Sequence, residues 1–278
     1  MFWKHVNRVL FYVVLVGGLL YVLFPFYWML VNSIKPSGEL YRTPVTYWPD
    51  NPTLENYRAI LSDGAFVHSI INSVVVAAGT TILALLVSSM AAYALARYAF
   101  PGKRAILYTI LGMSTFPQIA ILGGLFLLAR ALGIYNSYSA LILSYMIFTL
   151  PFCVWVLTSF IRDIPETLDE AAFIDGASPW QTLWKVVTPL AVPGMVATGL
   201  LSFINAWNEF LFALTLTIDS KARTVPVAVA LFSGQSEHEL PWGKITAASS
   251  LVTIPVVILA LIFQKRIVDG LTSGAVKG

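Results

Sequence analysis

Three polar residues stand close together inside an otherwise apolar run, Val192 to Ile218. Asn205, Asn208 and Glu209 are spaced i, i+3 and i+4, which places them on one face if the run is a helix. A charged side chain at the centre of a bilayer costs at least about 2.5 kcal/mol, so we expect Glu209 to face protein or water. Amide and carboxyl groups hydrogen-bond to hydroxyl groups of a polar solute. The three residues could therefore border a solute path, or they could form an interhelical hydrogen-bond cluster that holds the helices together.

A fourth polar candidate, Gln118, follows a proline in the apolar run from Ala105 to Leu128. Pro117 removes a backbone hydrogen bond and the pair Gly123-Gly124 permits unusual torsions, so this run is expected to be a broken or bent helix. Gln118 then either faces a wet cavity or satisfies the backbone groups that the break sets free.

Residues for metal or nucleotide chemistry are sparse. The histidines, His5, His68 and His238, are far apart in the sequence, and Cys153 is the only cysteine. This pattern predicts no metal site and excludes an intrachain disulfide. The sequence also lacks the G-x-x-x-x-G-K-[ST] phosphate loop, so we expect no cofactor in this chain and assign any ATP chemistry to a partner.

Composition indicates the elements that must hold these residues. The chain has 278 residues, of which 58% are hydrophobic and 11% charged, against roughly 25% charged in a typical soluble domain. The net charge of +3 does not favour nucleic-acid binding. We predict an all-α, multi-pass membrane protein whose residues 1–278 form a single domain with six spans. The predicted spans are 9–34, 70–96, 105–128, 138–161, 192–218 and 245–263.

Small residues recur every fourth position along the second span, at Ala84, Ser88, Ala92 and Ala96. Small side chains let helices approach closely in lipid, so this face is expected to pack against other helices. Lining the pathway is the alternative.

A more polar segment, Ile164 to Gly194, separates the fourth and fifth spans. The run Leu168 to Ile174 predicts a short helix, and Gly176 suits the left-handed residue that ends many helices. Ser178 then predicts the N-cap of a second helix, with a capping box to Gln181. The segment is read as a compact helix–turn–helix outside the bilayer.

Proline residues mark the second of these helices. Pro179 suits its first turn, where a missing N–H costs nothing. Pro189 and Pro193 are expected to close the unit ahead of the fifth span.

Basic residues orient the spans. With both chain ends inside, the inner segments carry 10 Lys and Arg and the outer segments 7, and those on the inside lie closest to the spans. The polar segment between spans four and five is then cytoplasmic.

The pattern E-A-A-x-x-x-G at Glu170, Ala171, Ala172 and Gly176, followed by Pro189, resembles the cytoplasmic coupling loop of ABC-importer permeases that take up carbohydrates. Three further stretches extend the resemblance over nearly the whole chain. They are AWNEF at 206–210, the run from TIP to FQKR at 253–266, and the tail GLTSGAVKG at 270–278. Within that family the chain resembles the smaller of the two permeases in maltose and trehalose importers.

The resemblance implies a role for several groups of residues. Glu170, Ala171, Ala172, Asp175, Gly176 and Pro189 would couple to an ATPase. Ser273, Gly274 and Lys277 in the tail would contact the same ATPase, and Gly234, Gln235 and Ser236 in the second external loop would reach a solute-binding protein.

The resemblance also implies an assembly. Its members would be a second, non-identical permease, a pair of ATPases that bind ATP and Mg, and an extracytoplasmic binding protein that delivers sugar such as maltose or trehalose. This chain would be a transport subunit without an enzyme activity of its own, in a prokaryotic cell membrane and in contact with its lipid.

Three alternatives compete with this interpretation. A secondary transporter would need ionisable groups in its spans, and only Glu209 is present there. A membrane enzyme would need clustered catalytic side chains, which the scattered histidines do not supply. A permease for glycerol-phosphate esters would favour basic residues along the path, and the predicted spans contain no lysine or arginine.

Overall fold

A computed structural model describes residues 2–232 and 240–273, with side chains described for residues 7–232 and 240–264. All the regular secondary structure of the described residues is helical, and no strand occurs among them. In chain order the helices are α1 (Phe2–Ser33), α2 (Ser37–Leu40), α3 (Glu55–Ser62), α4 (Gly64–Arg97), α5 (Lys103–Ser114), α6 (Gln118–Ala131), α7 (Tyr138–Asp163), α8 (Thr167–Ile174), α9 (Pro179–Thr182), α10 (Thr188–Trp207), α11 (Leu211–Leu216), α12 (Val225–Ala230) and α13 (Trp242–Ser273). A π-helical turn, Leu183–Val187, joins α9 to α10.

Five of these helical segments are long and apolar enough to cross a membrane, and the bent pair α5–α6 brings the number to six if it counts as one span. The all-α, multi-spanning architecture predicted from the sequence is therefore confirmed. The membrane face that each chain end occupies stays a prediction.

The third span is broken, as the sequence predicted. Helices α5 and α6 meet at 92°, with Thr115 to Pro117 between them. Pro117 adopts an extended conformation (φ −67°, ψ 122°) and occupies the N-cap of α6. The glycine pair at 123 and 124 lies inside α6 and does not break it.

The helix at the predicted fifth span has other bounds than 192–218. The membrane-length helix runs from Pro179 to Trp207, so Pro189 and Pro193 do not close the preceding unit but lie within α10. Pro189 sits in the first turn of α10, directly after the π-helical turn, and its missing N–H leaves the carbonyl of Lys185 without an i+4 donor. The wider π turn is the usual accommodation of such an interruption within a helix.

The helices cluster into two compact units. The first contains residues up to Val67 together with Ala228–Ile254. Here Asn56 is buried and donates from Nδ2 to the carbonyls of Ser33 and Lys35, both at 3.0 Å. Asn56 belongs to α3 and thereby fixes this helix to the end of α1.

An extended loop of the first unit folds around Glu39. Its carboxylate accepts hydrogen bonds from Thr46 Oγ1 at 2.7 Å and from the backbone N–H of Asp50 at 3.0 Å. The hydrogen bond from Thr46 is the largest cause that lowers the pKa of Glu39, and the charge of Lys35 lowers it further. This loop is ordered by its own polar contacts.

The second unit contains His68–Val227 and the residues from Pro255 onward. Its core joins α4 to α7 and α10, and the small face predicted on α4 lies inside it. Ala84, Ser88 and Ala92 have 0% exposure and Ala96 has 9%. Leu157 and Ile161 of α7 lie in the same buried cluster as Ala92 and Ala96. The burial favours packing over a pathway lining for this face.

Gly194 lies at a close approach of α10 to α7. A Cβ built on Gly194 would lie 2.5 Å from Cγ of Phe160. We expect Gly194→Ala to destabilise the protein by about 1–3 kcal/mol, because the added methyl group would force the Phe160 ring and the α10 backbone apart. Thermal unfolding in detergent measures the effect.

Gly112→Ala in α5 is the matched control, since no atom lies within 4 Å of its built Cβ. That variant should be neutral or gain about 0.5–1 kcal/mol from helix propensity. Equal melting temperatures for the two variants would show that the α7–α10 contact is not close-packed at Gly194.

Candidate functional site

The polar unit between α7 and α10 is built around one turn. Helix α8 ends at Ile174, and Gly176 follows with φ +82°, a conformation that favours glycine. Ser178 then caps α9. Its Oγ accepts from the N–H of Gln181 at 3.3 Å, while Gln181 Oε1 accepts from the N–H of Ser178 at 2.9 Å. The predicted turn and capping box are both confirmed.

The E-A-A triplet is divided between surface and interior. Glu170 and Ala171 are exposed, as are Asp175 and Gly176, whereas Ala172 is 8% exposed and faces the interior. The outer face of α8 thus combines an acidic residue with a small one, and Ile174 beside it is 86% exposed. This face therefore exposes an acidic, a small and a large apolar side chain side by side.

A groove of about 490 Å³ runs between α8 and the α9–π segment. Its rim includes Leu168, Ala171 and Asp175 on one side and Gln181 and Lys185 on the other. Apolar, acidic and basic side chains all border it, so the groove could hold a short element of another protein through mixed contacts.

A buried ion pair fixes α8 to the end of α4. Arg97 Nη2 lies 3.0 Å from Asp169 Oδ2, and both side chains are only 6% exposed. The same Nη2 directs its hydrogen bond to the carbonyl of Ile164 at 2.9 Å. Tyr93, one turn earlier in α4, donates to Asp169 Oδ1 at 2.9 Å. Two residues of α4 therefore hold one carboxylate of α8.

Arg97 retains unused donors. Among the described residues, its Nε and Nη1 are buried without a hydrogen-bond partner, and Nη1 lies 4.0 Å from Oε1 of Glu166. Glu166 is largely exposed at the start of α8. A small movement of α8 would change this distance, so the contact is sensitive to the position of the helix.

The sequence did not reveal this pair. From the sequence, Arg97 is one of the basic residues that orient the spans, and Asp169 is an acidic neighbour of Glu170. The available signal was a carboxylate at the inward position of a short amphipathic helix together with a cation at the end of a tightly packed span. Pairing them requires the tertiary contact of α4 with α8.

The polar cluster near residue 209 has a different geometry from the predicted one. Helix α10 ends at Trp207, so Glu209 lies beyond it and does not share a helical face with Asn205. Glu209 instead accepts hydrogen bonds from the backbone N–H groups of Phe212 at 2.8 Å and Ala213 at 3.1 Å. The carboxylate caps the first turn of α11, which satisfies backbone donors at the break.

The two asparagines remain exposed in this chain. Asn208 is the C-cap of α10, and its Nδ2 donates to the carbonyl of Ile204 at 2.9 Å. Asn205 is exposed one turn earlier. Gln118 opens α6 and is also exposed, but the described hydrogen bonds do not join it to the asparagines or to Glu209. The structure therefore brings Asn208 and Glu209 to one break and leaves Gln118 at another.

Two other predicted groups lie largely outside the described residues. Gly234, Gln235 and Ser236 lie in the undescribed range 233–239. Gly274 and Lys277 lie in the undescribed range 274–278. Ser273 is the last residue of α13.

Comparison with known proteins identifies the family. The model for the binding-protein-dependent transport system inner membrane component matches residues 84–273. The chain is 47% identical over 258 residues to the trehalose/maltose transport system permease protein of Thermococcus litoralis, covering 92% of both chains. It is 44% identical over 266 residues to the sulfoquinovosyl glycerol transport system permease protein of Agrobacterium fabrum, covering 96% of this chain and 91% of that one.

A solved structure shows the same fold. It is a chain of a bacterial ABC transporter involved in the import of the acidic polysaccharide alginate, with a TM-score of 0.82 at 23% identity, and the similarity covers 94% of this chain and 96% of that one. Together with the apolar helices, the family match shows a multi-pass inner-membrane protein. The chain belongs to the family of binding-protein-dependent transport system inner membrane components.

Proposed function

We propose that this chain forms half of the translocation path of an ATP-driven, binding-protein-dependent importer of di- or oligosaccharides such as maltose or trehalose. The observation that carries the proposal is the 47% sequence identity with a trehalose/maltose transport permease, which extends over 92% of both chains. A relative of almost equal identity belongs to a sulfoquinovosyl glycerol system, so the relatives support sugar-containing solutes as a class. Glycerol-phosphate esters are not favoured, because the predicted spans contain no lysine or arginine to meet a phosphate.

The assembly we propose has four further subunits. A second, non-identical permease completes the path, two ATPases bind ATP and Mg, and a binding protein outside the membrane delivers the sugar. In this assembly the present chain moves solute and performs no chemistry itself, since it carries no phosphate-binding loop.

The coupling surface of this chain consists of Glu170, Ala171, Asp175 and Gly176, all exposed on the α8 unit. Ala171 and Gly176 allow a partner backbone to approach closely, and Glu170 offers a charge to a basic side chain. Ala172 supports the surface from inside, where it is buried. Pro189 contributes indirectly, because the π turn before it sets the path from α9 into the α10 span.

Arg97 links this surface to the membrane helices. Because Arg97 and Tyr93 hold Asp169, a displacement of α8 by the ATPases would be passed to α4 through a buried ion pair and a hydrogen bond. The unused donors of Arg97 and the 4.0 Å approach of Glu166 support a second arrangement of the same contact.

The path itself is assigned to the two breaks. Asn205 and Asn208 are exposed amides that could meet sugar hydroxyls, and Gln118 stands at the start of α6 after the other break. Glu209 keeps the break in shape by holding the N–H groups of α11. Contacts of Ser273, Gly274 and Lys277 with the ATPases, and of Gly234, Gln235 and Ser236 with the binding protein, remain proposals from the family resemblance.

The solute class is tested by ATPase stimulation of the reconstituted complex with its binding protein. We expect trehalose or maltose to stimulate hydrolysis at least several-fold over the sugar-free rate, and glycerol 3-phosphate to leave it unchanged. Sulfoquinovosyl glycerol tests the second relative's solute. Stimulation by glycerol 3-phosphate without a response to any sugar would reject the proposal.

The coupling surface is tested by Glu170→Lys. Reversing a charge that faces a basic partner places like charges together at a cost of several kcal/mol, so we expect sugar-stimulated ATPase and uptake to fall at least about tenfold. Glu55→Lys, at an exposed glutamate in the first turn of α3, is the matched control and should retain activity. Normal ATPase binding and uptake in Glu170→Lys would remove Glu170 from the coupling surface.

A further inference from the structure

A basic cavity opens between α5 and α7, apart from the proposed coupling surface and the proposed path. Its volume is about 330 Å³. The lining residues are Arg104, Leu107, Tyr108, Trp155, Thr158, Ser159 and Arg162. Two guanidinium groups, three hydroxyl groups and two aromatic rings, one of which carries a hydroxyl, thus line one cavity.

The charge of the cavity is uncompensated by its own lining. Arg104 and Arg162 are both exposed, and no acidic side chain is among the described lining residues. Asp163 follows Arg162 in the chain but does not line the cavity. Paired arginines present N–H donors in a planar fork that matches the oxygens of a phosphate group.

The cavity lies where a membrane surface is expected. Arg104 is the second residue of α5 and Arg162 the penultimate residue of α7, so both stand at the ends of membrane helices. Tyr108 is four residues further into α5 and Trp155 seven residues further into α7, which places the rings about 6 and 10 Å deeper along their helices. Basic side chains at the helix ends and aromatic side chains deeper along the helices are the arrangement typical of the interface between lipid headgroups and acyl chains.

We infer that this cavity is a binding site for the phosphate of an anionic phospholipid. The phosphate lies between Arg104 and Arg162, with the hydroxyl of Ser159 as a further donor, and the start of the acyl chains lies against Tyr108 and Trp155. Because α7 continues toward Ile164, Glu166 and α8, a lipid here also contacts the helix that leads to the coupling unit.

The test measures lipid retention by native mass spectrometry of the full chain, purified with the subunits that accompany it. Phosphatidylglycerol and phosphatidylcholine are titrated in parallel. We expect a preference for phosphatidylglycerol that falls roughly 10- to 30-fold in the double variant Arg104→Gln/Arg162→Gln, since each basic residue near an anionic surface contributes about 1 kcal/mol. Phosphatidylcholine carries the same phosphate together with a choline cation that the two arginines repel, so its weaker binding should fall less than that of phosphatidylglycerol.

Two further variants separate charge at this site from charge in general. Arg130→Gln is the matched control, because Arg130 also lies beside aromatic rings, those of Phe126 and Tyr135, but does not line the cavity. It should bind phosphatidylglycerol as the unchanged chain does. The double variant Arg104→Lys/Arg162→Lys keeps both charges and should keep most of the binding, which guards against a folding defect in the glutamine variant.

Three outcomes would overturn the assignment. They are unchanged phosphatidylglycerol binding in the glutamine double variant, an equal loss in Arg130→Gln, and displacement of the lipid by millimolar inorganic phosphate, which would indicate a site for the free anion. None of these measurements depends on sugar transport, so their failure is distinguishable from failure of the proposed function.

Discussion

The contact between Arg97 and Asp169 is the interaction on which the arrangement of the polar unit depends. Two charges with 6% exposure lose most of their hydration, a cost of several kcal/mol per ion that only close pairing and added hydrogen bonds can offset. Tyr93 and the carbonyl of Ile164 supply those bonds. The orientation of α8 is therefore determined from the α4 side, and the opposite side of α8 is left to carry Glu170 and Ala171 at the surface.

The membrane imposes the second constraint, because a break in a spanning helix exposes backbone donors and acceptors that lipid cannot satisfy. Two side chains satisfy backbone groups at the break after α10. Glu209 accepts from two N–H groups of α11, and Asn208 donates to the carbonyl of Ile204. The break before α6 is closed by Pro117, which has no N–H to satisfy. Polar residues in apolar runs thus have a structural use, and only groups left exposed, such as Asn205, remain free for a solute.

Features that depend on residues close together in the sequence were predictable from it. The capping box of Ser178, the left-handed Gly176, the small face of α4 and the break at Pro117 all follow from residues a few positions apart. Pro189 and Pro193 were expected to close the unit before the fifth span, but a π turn lets the helix continue past them. The pairing of Arg97 with Asp169 could not be predicted, since 72 residues separate two groups that meet only through packing of α4 against α8.

A double-mutant cycle on Arg97 and Asp169 tests the central claim most directly, with thermal unfolding of the purified chain as the measurement. Arg97→Met leaves a carboxylate buried and unpaired, and should cost about 3–5 kcal/mol. Asp169→Leu should cost a similar amount, whereas the double variant Arg97→Met/Asp169→Leu should be less destabilised than either single variant, because no buried charge remains. Effects of the two substitutions that simply add in the double variant would contradict the account, since the two residues would then not interact.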